Sequence, residues 1–97
     1  MVKVVIKKSN KPGKKLMATF TKDNGRVKVT HFGQAGAEDY TKTKNKLQRT
    51  RYRRRHSKDL KTGDYTRAGY LSYHILWGSS SSVRENIALY KQRFNLK

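Results

Sequence analysis

Between Asn45 and His56 the sequence reads NKLQRTRYRRRH: five arginines, one lysine and no acidic residue. Arginine in place of lysine is a chemical statement. A guanidinium offers a planar fork of donors that meets a phosphate two bonds at a time, stacks on flat rings, and is less strongly hydrated than an ammonium. Arg49, Arg51, Arg53, Arg54 and Arg55 are therefore candidate phosphate ligands, with Tyr52 among them to stack on a base and His56 closing the run. Lys42, Lys44, Lys46 and Lys58 extend the segment to nine positive charges over residues 42–58, where Leu47 and Tyr52 are the only apolar side chains. Lys7, Lys8, Lys11, Lys14 and Lys15 form a second basic cluster near the start of the chain, so the footprint is bivalent or a continuous stripe.

The bland reading of such a run is a solvated helix face, but that reading needs mixed signs. No acid occurs within 42–58, and like charges four residues apart oppose a helix. Wound as a helix, the run has charge on every side and no apolar stripe, so it needs a partner. A polyanion supplies one. The RYRRRH run also satisfies a basic nuclear-localisation pattern, and one segment can serve both ends. Nothing in the sequence has zinc-finger spacing, a basic region with heptads or a recognition-helix signature, so binding is expected to be electrostatic and tolerant of sequence.

The natural rival is a hydrolase. Its candidate groups are His31, His56, His74, Glu38, Asp39, Asp59 and Asp64. Metal-assisted cleavage wants such groups converging on an ion. Glu38 and Asp39 are adjacent and diverge in an extended segment, while His31 sits at a strand end and His74 among large apolar residues of an expected helix. These positions favour structural roles, with the acids capping helices or neutralising arginines. No enzyme, metal or cofactor is expected. Gly33-Gln34-Ala35-Gly36 has the form of a backbone-clamping GxxG loop, yet it follows a strand where such loops join two helices, and a strand-to-helix turn is the plainer reading.

Composition sets the frame. The chain has 97 residues, 24 lysines and arginines against 6 acids, and a formal net charge of +18. That excess is more than solubility requires and destabilises a compact state by self-repulsion, which favours a functional origin. There is no cysteine, which excludes disulfides, thiolate zinc sites and cysteine nucleophiles. No apolar run approaches the roughly 18 residues of a membrane span, and MVKVVIKKSN lacks the features of a signal peptide. The expected setting is the interior of a cell, nucleus or cytoplasm, or of a particle assembled there.

The elements that must position these residues follow from hydrophobic spacing. Val2, Val4 and Ile6 alternate with lysines, as in a half-buried strand. Pro12-Gly13 marks a turn. Asn24-Gly25 is a favoured two-residue hairpin turn and predicts the pairs Asp23–Arg26, Phe20–Val29 and Ala18–His31, with Leu16, Ala18, Phe20, Val27 and Val29 on one face. Helices are expected over 43–58, over 66–77, and after Ser82, where Ser82 and Glu85 have capping-box spacing and Val83, Ile87, Tyr90 and Phe94 form one stripe. Tyr70, Tyr73, Trp77, Tyr90 and Phe94 read as core rather than as a stacking platform. The whole is a single α+β domain over 1–97, a three-stranded antiparallel sheet followed by about three helices.

The blocks KLMATF, VTHFGQAGAEDYT, RTRYRRRH, TRAGYLSYHILWG and YKQRF, in this order, resemble a small basic uncharacterised protein family of large algal and other giant DNA viruses and some tailed phages. The chain departs from that pattern at Leu16, where an aromatic is usual, at Arg67, which interrupts a Thr-Ala-Gly triplet, and at the GSSSS turn. The resemblance implies a viral protein packaged in the particle, with no enzymatic activity attached, and places His31, Asp39, Arg55 and His56 in a shared polar constellation. Together these readings predict a non-enzymatic DNA-binding protein, with double-stranded DNA as partner, serving genome condensation or packaging in the virion. The alternatives are a virion scaffold protein whose basic arm meets acidic protein, with further virion proteins or a second copy of the chain as partners, and a metal-dependent nuclease.

Overall fold

Lys3–Lys8 (β1), Lys14–Thr21 (β2) and Val27–Gln34 (β3) form an antiparallel sheet in the order β1-β2-β3 in the computed structural model, which describes all 97 residues. β1 pairs Val4 with Phe20 and Ile6 with Ala18, so the apolar set of both strands shares one face. The turn between β1 and β2 closes from the Lys14 N–H to the Lys11 carbonyl at 3.2 Å. Lys97 accepts from the Val4 N–H and donates to the Val2 carbonyl, fastening the end of the chain along the β1 edge.

The second hairpin corrects the expected register. Phe20 pairs with Lys28 and Ala18 with Thr30, one residue away from the pairing that a two-residue Asn24-Gly25 turn demands. The loop has three residues, Asp23 to Gly25. Gly25 N–H donates to the Lys22 carbonyl, Lys22 N–H donates to the Arg26 carbonyl, and Gly25 takes a left-handed φ of 85°. This is the three-residue hairpin class, which needs one left-handed residue where the two-residue turn needs two. Asn24 acts through its side chain instead, its Oδ1 accepting from the Arg26 N–H at 3.0 Å. Because side chains alternate with period two, the slip reverses β3. Val27 and Val29 are 60% and 48% exposed, and Thr30 and Phe32 face the core in their place.

The helices follow. Asp39 caps α1 (Tyr40–Thr43), Asn45 caps α2 (Lys46–His56), and a 3₁₀ turn (Ser57–Thr62) continues α2. α3 (Ala68–Leu71) passes without a break into a π turn (Ser72–Leu76). α4 (Val83–Arg93) starts at Ser82, whose Oγ accepts from the Glu85 N–H at 3.2 Å, one half of the expected capping box. The α+β class and the order of elements stand as expected, with one short helix, α1, added. Gly36 lies in the turn that leads from β3 towards α1, whereas Gly33, expected in the same turn, is still within β3; both take a left-handed φ.

The core lies between the inner sheet face and the helices. Val4, Ala18, Phe20 and Phe32 meet Leu71, Ile75, Leu76, Trp77 and Tyr90, with Val83, Ile87 and Phe94 of the α4 stripe packed against them. The aromatics of α3 and α4 belong to this packing: Phe94 lies within 5.0–5.8 Å of the rings of Tyr65, Tyr70 and Tyr90. Asn86 is buried and ties the Gly78–Ser82 linker to the π turn. Its Nδ2 donates to the carbonyls of Ile75 and Ser80 and its Oδ1 accepts from the Ser80 N–H.

Candidate nucleic-acid interface

α2 is docked by a face that contains no aliphatic residue. Arg49, Tyr52, Arg53 and His56 recur at helical spacing and turn inward, although no acid lies close to them in the helix. Arg53 Nε donates to the Trp77 carbonyl at 2.8 Å, and Arg49 Nη1 donates to the carbonyls of Gly78 and Ser79 at 3.3 and 3.0 Å. These carbonyls follow the end of α3 and its π turn, where backbone acceptors have no helical partner and a cation is favoured by the helix dipole. Each guanidinium also lies over a ring: Arg49 sits 4.5 Å from the Tyr40 centroid and Arg53 4.8 Å from that of Tyr73. Tyr52 stacks on Trp77 at 4.3 Å and on His56 at 4.1 Å. Two stacked rings at that distance must occupy opposite faces, so both faces of Tyr52 are taken. Burial raises the pKa of the Tyr52 hydroxyl, with Asp59 adding to the effect.

The opposite face is free. Leu47, Arg51, Arg54 and Arg55 are exposed, as are Lys46 in the first turn of α2 and Lys58 just beyond its end, and none of these cations has a carboxylate partner. The expected ligand set thus divides. Arg51, Arg54, Arg55 and Lys46 face solvent. Arg49 and Arg53 are committed to backbone carbonyls, and Tyr52 to its stack. Lys42 and Lys44 are exposed beside the N-terminus of α2, Lys44 in a left-handed conformation. The expected first-loop lysines lie mostly on the strands: Lys7 and Lys8 at the end of β1, Lys11 in the turn and Lys14 at the start of β2 are exposed, whereas Lys15 of β2 turns in and donates to Asp39 and to the Ala37 carbonyl.

Part of the first basic cluster and the inward face of α2 border a cleft of about 370 Å³. Lys14 and Lys15 form one side and Tyr52 and His56 the other, with Asp39, Ser72 and Trp77 between them. Asp39 is only 2% exposed and is fully engaged, by Lys15, the Thr41 N–H and the Thr41 hydroxyl. His56 Nδ1 lies 3.1 Å from Asp59 Oδ2. Gly69 permits that pair: a Cβ there would come within 2.9 Å of the Asp59 Cβ. Of the expected constellation, Asp39 and His56 line this cleft. His31 lies on the outer sheet face opposite Met17, its Nδ1 2.8 Å from Ser9 Oγ, and Arg55 points to solvent.

His74 sits among Tyr70, Tyr73, Tyr90 and Phe94. Burial, together with the charges of Arg93 and Arg53, lowers its pKa to about 4 and keeps the ring neutral. No three histidine or carboxylate side chains gather as a ligand set for a metal ion. Glu38 diverges from Asp39 and accepts from Gln48 Nε2. Asp64 accepts from the Thr66 hydroxyl and N–H, with Lys28 and Arg67 nearby, and these hydrogen bonds lower its pKa. No helix is long and apolar enough to cross a membrane. Reading the sequence missed Trp77 as the partner of Tyr52, Asp59 as that of His56, and the inward use of two arginines. The signal available was the 49-52-53-56 spacing.

Residues 4–56, from β1 to the end of α2, match the model of a family of unknown function, DUF5754. The chain is also 35% identical over 83 residues to an uncharacterized protein of Acanthamoeba polyphaga mimivirus, an alignment covering 74% of this chain and 78% of the relative. No solved structure matches. The chain belongs to this family of unknown function and has a giant-virus relative.

Proposed function

We propose that this protein, which has a giant-virus relative, is a non-enzymatic, sequence-tolerant nucleic-acid-binding protein, with double-stranded DNA as its target and genome condensation or packaging as its role. One observation carries the reading. The outward face of α2 holds Arg51, Arg54 and Arg55 on a docked helix, exposed and without a counter-charge, and Lys58 prolongs the stripe. Cations with no internal use, carried at a cost in self-repulsion, fit a phosphate backbone that releases its counterions when they bind. Lys7, Lys8, Lys11 and Lys14 are likewise exposed and without a carboxylate partner, and they offer a second set of contacts for a polyanion.

A salt titration with a short duplex, the same sequence as a single strand, and heparin tests the reading. With about six phosphates contacted, log K should fall against log salt with a slope of roughly −5. Replacing Arg51, Arg54 and Arg55 together with Ala should weaken binding to every sequence alike and flatten that slope by about three. Equal or stronger binding to heparin, or an unchanged slope in the variant, would overturn the proposal. A second reading, a virion structural protein meeting acidic protein or a second copy of itself, draws on the outer sheet face, where Val5, Val27 and Val29 are exposed. It predicts a defined stoichiometry with a protein partner and no preference for DNA.

A further inference from the structure

A second cleft, of about 470 Å³, lies between α2, the π turn and α4, and its charged lining consists of Arg53 and Arg93 with no carboxylate. All six acids of the chain are accounted for elsewhere. Asp23 meets the N-terminal ammonium, Glu38 meets Gln48, Asp39 meets Lys15, Asp59 meets His56, and Asp64 meets Lys28 and Arg67. Glu85 lies in the first turn of α4, at the opposite end of that helix from Arg93. In a concave setting with partly apolar walls, two unneutralised guanidiniums concentrate the field on one spot.

The geometry of Arg53 suits a ligand. Its Nε is fixed on the Trp77 carbonyl and its plane lies over Tyr73, so the fork is held in place while its Nη groups make no hydrogen bond to the protein. Arg93 enters from the last turn of α4. His74, Ser79 and Gln92 add polar groups to the lining, and Leu60, Tyr73 and Leu89 add apolar surface. A few convergent polar groups on an apolar floor, at this volume, describe a small-molecule site. Two arginine forks select a phosphate over a simple halide because they can bind its oxygens in pairs.

We propose that this cleft binds the phosphate of a nucleotide between Arg53 and Arg93, with the sugar or base against Tyr73, Leu60 and Leu89. His74 supplies a built-in reporter. Arg53 on α2 and Arg93 on α4 are the cations that face it, Tyr70, Tyr73 and Tyr90 are the titratable groups packed around it, and no acid is among its neighbours. An anion seated between the two arginines offsets their charge and raises the low pKa of the imidazole.

The experiment titrates the whole protein with adenosine 5′-monophosphate, inorganic phosphate and adenosine in about 0.15 M salt, where loose surface contacts are screened, and follows the imidazole resonances of His31, His56 and His74 by NMR. Adenosine monophosphate and phosphate should move His74 and raise its pKa, while adenosine leaves it unchanged. Arg93→Gln, at an exposed helix end, should weaken adenosine monophosphate by about tenfold or more, and Arg93→Lys should fall between it and the parent. The triple Arg51, Arg54, Arg55 alanine variant should leave this binding intact, which separates the cleft from the proposed duplex-binding face. Tighter binding of a 5′-phosphorylated oligonucleotide than of adenosine monophosphate identifies a strand end as the source of the phosphate, and equal binding identifies a free nucleotide. A His74 signal unmoved by phosphate, or an Arg93→Gln variant that binds as the parent does, would overturn the site.

Discussion

Arg49 and Arg53 enter the molecule and Arg51, Arg54 and Arg55 leave it, though all five lie within two turns of α2. The inward pair replaces what an aliphatic stripe does elsewhere: it fills space over Tyr40 and Tyr73 and satisfies the carbonyls of Trp77, Gly78 and Ser79. α4 is the contrasting case, docked by Val83, Ile87, Tyr90 and Phe94 in the ordinary manner. Residue type therefore says little about use in this chain. What decides is whether a carbonyl and a ring stand opposite the side chain. A helix docked through guanidiniums can carry basic residues on every side and still have an inside.

Substitutions on the two faces should separate cleanly, and the largest effect belongs to the stack. Tyr52→Ala removes the ring between Trp77 and His56 and should lower unfolding free energy by about 3 kcal/mol in a denaturant titration. Arg53→Ala leaves the Trp77 carbonyl without its charged donor, and a loss of about 2 kcal/mol is expected from the same measurement. If Arg53→Ala instead kept full stability and lost DNA affinity like an outward arginine, the distinction between the faces would fail. His74 sharpens the inner side through pH. Its folded pKa of about 4 lies below the ordinary 6.5, so the unfolded chain takes up the proton first as pH falls. Its contribution is complete above pH 6.5 and is lost as pH falls towards 4; with partial exposure allowed for, the loss is about 1–2 kcal/mol. His74→Phe should flatten that part of the stability–pH curve. The outward triple alanine variant should change stability least, by about 0.5 kcal/mol or less, or raise it as like-charge repulsion at i,i+4 is relieved.

The parts legible in the sequence were those resting on apolar spacing. β1, β2, the α4 stripe with its Ser82 cap, and the aromatic core follow from the positions of Val4, Phe20, Tyr90 and their neighbours. The β3 register was not legible, because Asn24-Gly25 fits a two-residue loop and a three-residue loop alike, and Val27, Val29 and Phe32 could not all share the core face. The inner face of α2 was hidden for a different reason. Hydrophobic periodicity detects burial by aliphatic and aromatic side chains, and Arg49 and Arg53 are held by carbonyls about 25 to 30 positions away. The cleft between Arg53 and Arg93 was equally out of reach, since only the tertiary fold brings α2 and the end of α4 together.

The anchoring of α2 also fixes when its conformational entropy is lost. A basic arm that folds only on meeting a polyanion surrenders backbone freedom at that moment, at about 1–2 kcal/mol per residue. In α2 the inner guanidiniums and the Tyr52 stack hold the helix before any ligand arrives, so the outward forks are presented on a rigid rod. Association then orders side chains alone, and the far-ultraviolet circular dichroism of the protein should stay the same as a duplex is added.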